Sequence, residues 1–205
     1  NFWAAKKGRD ALEVEWDESD AFRLGSEEIV ERFRELAREP GQVATDKGDA
    51  AAAIADADRV LEAEFEFPYL VHAAMEPMNC VERVDGDRCE MWYGVQGQSM
   101  DLGNVSRALG IPRENLILNM LYAGGSFGRR TSGDSDYAVE AALIAKALPG
   151  TPVKLVWTRE DDTRAGYYRP LNVHRVRGAL DGTGHIVGWE QRIVGQSILA
   201  GTPFA

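Results

Sequence analysis

Asn115-Leu116-Ile117-Leu118-Asn119-Met120-Leu121-Tyr122-Ala123-Gly124-Gly125-Ser126-Phe127-Gly128-Arg129-Arg130, with the stretch that begins at Asp136, decides the fold. The apolar run over 115–122 reads as a buried strand. It runs into closely spaced glycines and a basic pair. A helix follows over 136–148, with Ala138, Ala141, Ala142, Ala145 and Leu148 on one face. Glycines at this spacing let backbone N–H groups converge on an anion or come close to a flat ligand. Arg129 and Arg130 offer planar forks to a phosphate or an acid. The plainer alternative is a tight strand–helix turn whose arginines are solvated. The spacing is neither a dinucleotide fingerprint nor a P-loop, because no Lys-Ser/Thr follows.

Hairpins surround this unit. Asn79–Val84 and Arg88–Val95 flank Asp85-Gly86-Asp87, a turn signal. With Asp85-Gly86 as the turn, Cys89 faces Glu82 and Cys80 faces Met91, so no Cys80–Cys89 disulfide is expected. A helix over 99–109 is closed by Gly110, with Pro112 beyond it. Downstream come a strand over 151–158 and a hairpin, 171–180 with 185–195, around Asp181-Gly182-Thr183-Gly184. Upstream, the pattern predicts a short helix over 2–9 and an alternating strand over 12–16. Ser26 opens a helix with Ile29, Phe33, Leu36 and Ala37 on one face, which Pro40 ends. A helix over 50–58 precedes a strand over 59–67. There Val60, Leu61, Ala63, Phe65 and Phe67 stand against Glu62, Glu64 and Glu66, which predicts one wet face. Hairpins mixed with crossovers predict an α+β fold, mixed sheets with packed helices.

Composition narrows the function. Asp plus Glu number 33 against 23 Lys plus Arg, a net charge of −10, which argues against a nucleic-acid partner. No apolar run approaches the ~20 residues of a membrane span. Residues 1–66 carry 18 acids and 9 bases, whereas 67–205 are nearly balanced. That shift, with Pro40, Gly41 and Gly48 nearby, predicts an acidic upstream segment and linker over 1–49 and a second region over 50–205. The chain begins at Asn1 and stops at Gly201-Thr202-Pro203-Phe204-Ala205, just after an apolar run, and reads as a piece of a longer polypeptide.

Three further segments could carry chemistry. His72-Ala73-Ala74-Met75-Glu76-Pro77-Met78-Asn79 places a carboxylate and an imidazole close enough for acid–base work, with a surface loop and a buried His as the alternative. Gln96, in Gly94-Val95-Gln96-Gly97, could donate a side-chain N–H to a ligand oxygen or be an ordinary turn residue. Tyr167-Tyr168-Arg169-Pro170 sets aromatics beside an Arg, as a surface turn also would. His72, His174 and His185 lack metal-ligand spacing, and Glu160-Asp161-Asp162 reads as a solvated strand-end loop.

The order of these motifs resembles a known family. His72…Glu76-Pro77, Trp92…Gln96, Gly124-Gly125-Ser126-Phe127-Gly128, Pro152-Val153-Lys154, Arg159-Glu160-Asp161 and Tyr168-Arg169-Pro170 look like the molybdopterin-binding subunit of the xanthine dehydrogenase and aldehyde oxidase family. The Met-Glu-Pro-Met-Asn run and the Gly-Arg-Arg after the loop look most like the branch of isoquinoline 1-oxidoreductase beta subunits and membrane-bound aldehyde dehydrogenases. Trp3 to Leu12 is similar to the segment just upstream in that subunit.

The resemblance implies a fragment of a molybdenum cofactor-binding domain. Its parent would oxidise an aldehyde or N-heterocycle with oxygen from water and pass electrons to [2Fe–2S] clusters on a small subunit. A cytochrome c subunit is a further candidate partner. The implied cofactor is molybdopterin, in its cytosine dinucleotide form. Gln96, Gly124, Gly125, Ser126, Phe127, Gly128 and Arg129 match cofactor-binding positions, and Glu76 and Phe127 match the substrate side. No residue here is an implied direct metal ligand, and the implied general-base glutamate lies downstream. Ser126 replaces a usual glycine, and Arg129-Arg130-Thr131 replaces the Lys-Glu of xanthine-type members, which disfavours purines. The resemblance also implies a periplasmic parent, with the cytoplasm as alternative, and a piece that is folded but empty and inactive by itself. Two other readings stay open. One is a non-catalytic assembly surface, which exposed Met75, Met78 and Phe127 would suit. The other is an unrelated anion-binding module with a basic pocket at Arg129 and Arg130.

Overall fold

The computed structural model describes residues 1–200; Gly201 to Ala205, which the sequence placed after an apolar run, lie outside the described residues. Six helices and nine strands follow one another among the described residues. They are α1 (Phe2–Asp10), α2 (Ser26–Leu36), α3 (Ala50–Ala55), β1 (Arg59–Phe67), β2 (Leu70–Val71), β3 (Asn79–Asp85), β4 (Arg88–Tyr93), α4 (Gln98–Leu109), β5 (Leu116–Met120), α5 (Asp136–Lys146), β6 (Val153–Val156), α6 (Arg159–Arg164), β7 (Tyr168–Arg169), β8 (Asn172–Leu180) and β9 (Ile186–Gly195). The mixture of helices and small sheets is the α+β class expected. The chain forms two compact units, one from residues 1–14 and 71–169, the other from 15–70 and 170–200. No helix among the described residues is long and apolar enough to cross a membrane.

The first unit is built on a four-stranded sheet ordered β5-β4-β3-β6. β3 and β4 form an antiparallel hairpin, while β4 and β5 run parallel, so the chain must cross over between them through α4. Alternation turns Cys80, Glu82 and Val84 of β3 and Cys89, Met91 and Tyr93 of β4 to one buried face. α5 covers it with Tyr137, Ala138, Ala141, Ala142 and Ala145, and α4 adds Val105 and Leu109. Gly110, at φ +72°, supplies the left-handed residue that ends α4.

Several expectations are corrected in this unit. Segment 12–16 makes no strand, because no neighbouring strand pairs with it, and Leu12, Val14 and Trp16 are exposed. β5 is shorter than 115–122 and is an edge strand, so Leu116 is buried but Met120, Leu121 and Tyr122 are exposed. α5 ends at Lys146, which leaves Leu148 half exposed. Glu160-Asp161-Asp162 is not a strand-end loop but the first turn of α6. There Asp161 and the cap Thr158 bond each other, and Asp162 is buried against Arg159 at 2.7 Å. No group of His, Cys, Asp and Glu among the described residues is arranged to hold a metal ion.

The hairpin register is also corrected. Asp85 pairs with Arg88, so Gly86-Asp87 is the two-residue turn, with Gly86 at φ +59°. Cys89 therefore faces Val84, and Met91 faces Glu82. Both cysteines are buried and free. Each thiol turns to a different oxygen of Glu82, Cys80 Sγ at 3.1 Å from Oε1 and Cys89 Sγ at 3.8 Å from Oε2. Burial pushes the Cys89 thiol up to about 12 and the Cys80 thiol higher still, which keeps both as poor nucleophiles. Titration of the unfolded, unreduced chain with a thiol reagent is expected to find two free groups, with neither reacting readily in the folded chain. Finding none after unfolding would contradict this placement.

The second unit carries the antiparallel sheet β1-β8-β9. Here helices approach the glutamate face of β1, although every residue of that strand is itself exposed. Arg34 of α2 bonds Glu64 at 3.0 Å and Glu66 at 3.1 Å, and Ala53 and Ile54 of α3 lie against Gly188 of β9. The two helices thus sit on the glutamate face. Leu61, Phe65 and Phe67 on the other face are exposed, as are Trp189 and Ile193 beside them. Long arginine stems let a charged face be packed, because the guanidiniums meet carboxylates while the methylenes cover the sheet. α2 and α3 lie on either side of residue 49 yet both pack on the β8–β9 hairpin, so the change of charge along the chain does not follow the compact units.

Candidate functional site

Three of the segments that the sequence singled out meet in the first unit. Glu76 and Gly124 exchange two hydrogen bonds: Glu76 N–H donates to the Gly124 carbonyl at 3.0 Å, and Gly124 N–H donates to Glu76 Oε2 at 2.8 Å. Only glycine fits there, since a Cβ on Gly124 would stand 2.6 Å from Glu76 Cβ. The Gln96 N–H donates to the Arg130 carbonyl at 3.1 Å, which seats the Trp92–Gln98 segment on the far end of the glycine loop.

Arg130 joins all three. Its guanidinium is buried and donates to the carbonyls of Gly125 at 3.0 Å, Glu76 at 3.2 Å and Gly94 at 3.4 Å, and to Glu76 Oε2 at 2.9 Å. Partial burial acts to raise the Glu76 carboxyl. The Gly124 N–H, the Asn79 amide and the Arg130 charge outweigh it and hold the group below its usual range. Glu76 is therefore an ionised anchor for the loop, with both oxygens engaged.

The loop tip is the opposite case. Among the described residues, the N–H groups of Gly125, Ser126, Phe127 and Gly128 donate to no protein acceptor. Gly125 and Gly128 sit at φ +99° and +101°, and between them Phe127 is held at φ +58° and is 77% exposed. A bulky residue at positive φ stores strain that its neighbours must hold in place. Ser126 Oγ donates to Gln96 Oε1 and accepts from the Arg130 N–H at 3.3 Å. The Gln96 amide is oriented by this bond, and its exposed Nε2 donates to no group among the described residues. Four free backbone donors and one oriented amide donor suit an oxygen-rich, anionic group with a flat ring system, which molybdopterin is.

Other sequence candidates are placed differently. Arg129 does not reach the loop surface. It is buried, paired with Asp136 at 2.6 Å, and lies over the rings of Trp157 and Tyr167 at 5.3 and 5.8 Å. Both arginines of the pair are thus consumed by carboxylates, so neither the solvated turn nor a basic anion pocket is formed. Tyr167 meets Arg129, and its carbonyl contacts His72 Nδ1 at 3.1 Å. Met75 and Phe127 are exposed, whereas Met78 is in the core. Arg159 escaped the sequence reading as a site residue: it donates to the carbonyls of Ala74 at 2.6 Å and Met75 at 3.1 Å and so fixes the approach to Glu76. Its only sequence signal was its place in the Arg-Glu-Asp motif.

Comparison with known proteins gives the family and the fold. Residues 35–197 match the molybdopterin cofactor-binding domain family. The chain is 32% identical, over 97% of its length and 27% of the relative's, to a membrane-bound aldehyde dehydrogenase [pyrroloquinoline-quinone] of Gluconacetobacter polyoxogenes. It is 28% identical, over 88% of its length and 24% of the relative's, to the isoquinoline 1-oxidoreductase subunit beta of Brevundimonas diminuta. The chain thus spans about a quarter of the length of these relatives. Quinoline 2-oxidoreductase from Pseudomonas putida 86 shares the fold, with a TM-score of 0.62 at 20% identity over 70% of this chain and 18% of that one. The free amides at the loop tip, the match over most of the chain and the shared fold have one reading: the chain belongs to the molybdopterin cofactor-binding domain family.

Proposed function

We propose that this chain is part of a molybdenum hydroxylase large subunit, and that its glycine loop and Gln96 hold one side of the cofactor. The observation that carries the reading is the set of donors without a partner among the described residues: the N–H groups of residues 125–128 and Gln96 Nε2. Molybdopterin, when bound, supplies the two-electron chemistry by which oxygen from water enters a C–H bond. The protein groups bind and orient. Gly124 to Gly128 give the backbone approach, Gln96 donates to an oxygen of the cofactor, and Phe127 presents an apolar ring on the substrate side. Glu76, Arg129 and Arg130 hold the loop from behind, so Glu76 and Arg129 act as positioning residues. The cytosine dinucleotide form of the cofactor, a [2Fe–2S] small subunit, a cytochrome c subunit and an aldehyde or N-heterocycle substrate complete this reading, with the general base supplied from the rest of the parent.

Gln96→Ala in the full-length parent tests it. A preorganised donor aimed at developing charge is typically worth 10²–10³ in rate, about 3–4 kcal/mol. Single-turnover reduction by an aldehyde, normalised to bound molybdenum, is expected to fall at least tenfold with cofactor content unchanged. A wild-type rate at full occupancy would make Gln96 a turn residue only.

A further inference from the structure

The second unit holds a concave site that the proposed reading does not use. Arg38, Arg175, Arg177 and Arg192 line a cavity of about 210 Å³ together with Glu62 and Glu190. Four guanidiniums against two carboxylates leave a formal charge of +2. Both carboxylates are taken. Arg177 bonds Glu62 at 2.8 Å and Glu190 at 3.3 Å, and Arg192 bonds Glu190 at 3.1 Å. Arg192 also donates to the Arg38 carbonyl at 2.8 Å.

Arg175 and Arg38 have no ion-pair partner among the described residues. Glu64, the strand neighbour of Arg175, is bound by Arg34 instead. On its other side Arg175 stands directly opposite Arg192 across β8 and β9. Like charges directly opposite on a sheet repel, and a bridging anion turns that repulsion into attraction. Guanidinium forks match the oxygens of a phosphate two at a time. The volume is below the 300 Å³ or so where pockets for drug-sized ligands begin, so it suits a small anion and not a whole nucleotide.

We propose that this cavity binds a phosphate-class oxyanion, with Arg175 and Arg38 as its principal ligands and Arg192 bridging. The test uses inorganic phosphate and pyrophosphate on this chain, with sodium chloride at matched ionic strength as the control. Phosphate is expected to raise the melting temperature beyond the chloride control, with saturable binding by calorimetry. Arg175→Gln is expected to weaken that binding at least tenfold and to leave the phosphate-free melting temperature unchanged or higher, because it relieves the Arg175–Arg192 repulsion. Arg38→Gln, in an exposed segment outside the sheet, is expected to weaken binding without touching a strand. Tighter binding of pyrophosphate assigns a diphosphate ligand and tighter binding of phosphate a monoester; either supports the site. A phosphate response no larger than that to chloride, or one that survives in both variants, would overturn it.

Discussion

Arg130→Met is expected to lower the unfolding free energy of this chain by about 3 kcal/mol, read as a lower urea midpoint at unchanged slope. The guanidinium is buried and satisfies three carbonyls and one carboxylate oxygen. Methionine fills much of the space but donates nothing. Removing one partner of a buried pair typically costs about 3–5 kcal/mol, because the other charge is left behind. The lower end applies here, since the Glu76 side chain keeps 40% of its exposure and water can reach it. Glu76→Gln is expected to cost less, because an amide oxygen can still accept from Gly124 N–H. A midpoint for Arg130→Met within error of wild type would show that these bonds do not hold the loop.

The second large effect is a pH dependence centred on Glu82. This carboxyl is in the core of the first unit, and its hydrogen-bond partners are the two thiols. Burial pushes it up to about 8, and Asp101 adds to the rise against the two thiol bonds. In the unfolded chain it returns to 4.5. Its folded pKa is above its unfolded one, so the native state binds the extra proton between those values. The stability it contributes is full below about pH 4.5 and is lost as pH rises through about 8. The loss amounts to a few kcal/mol, at about 1.4 kcal/mol per pH unit. Denaturant unfolding at steps from pH 5 to 8 is expected to show a declining midpoint, and Glu82→Gln is expected to flatten it. An equally steep decline in the variant would place the effect elsewhere. Asp101, also raised by burial, adds to the decline in the same direction, whereas Glu76, Asp17, Asp161, Asp181 and Glu160 shift the other way and act at lower pH, outside this window.

Elements whose signals are local were legible in the sequence. The glycine loop between strand and helix, β1 with its bounds, and Gly110 after α4 follow from periodicity and from residues with special backbone freedom. What failed depends on neighbours far along the chain. The bounds of β1 were read correctly, but Val60 shares the face of Glu62, Glu64 and Glu66 and does not oppose it, and which face the helices approach was decided by Arg34, thirty residues upstream of Glu64. Nothing local marks Glu82 as buried except its alternation with Cys80 and Val84 on one face of β3. The turn was displaced by one residue because Asp85-Gly86 and Gly86-Asp87 both satisfy the composition of a tight turn. In the site, the segments were recognised, but their division of labour was not. Sequence shows two adjacent arginines beside a loop; it does not show that both point inward to Glu76 and Asp136.

Arg130 and Glu76 are 54 positions apart in the chain, and one guanidinium serves them both. This sets the smallest cassette that could be exchanged with a relative. A chimera that imported only residues 124–128 would set a foreign loop on anchors shaped for this one. The graft would have to run from Glu76 through Arg130, carrying the β3–β4 hairpin, α4 and β5 with it. The loop and its anchors thus form one block of about a quarter of the chain, and single-loop transplants are expected to give poorly seated loops even where the donor and recipient sequences look alike there.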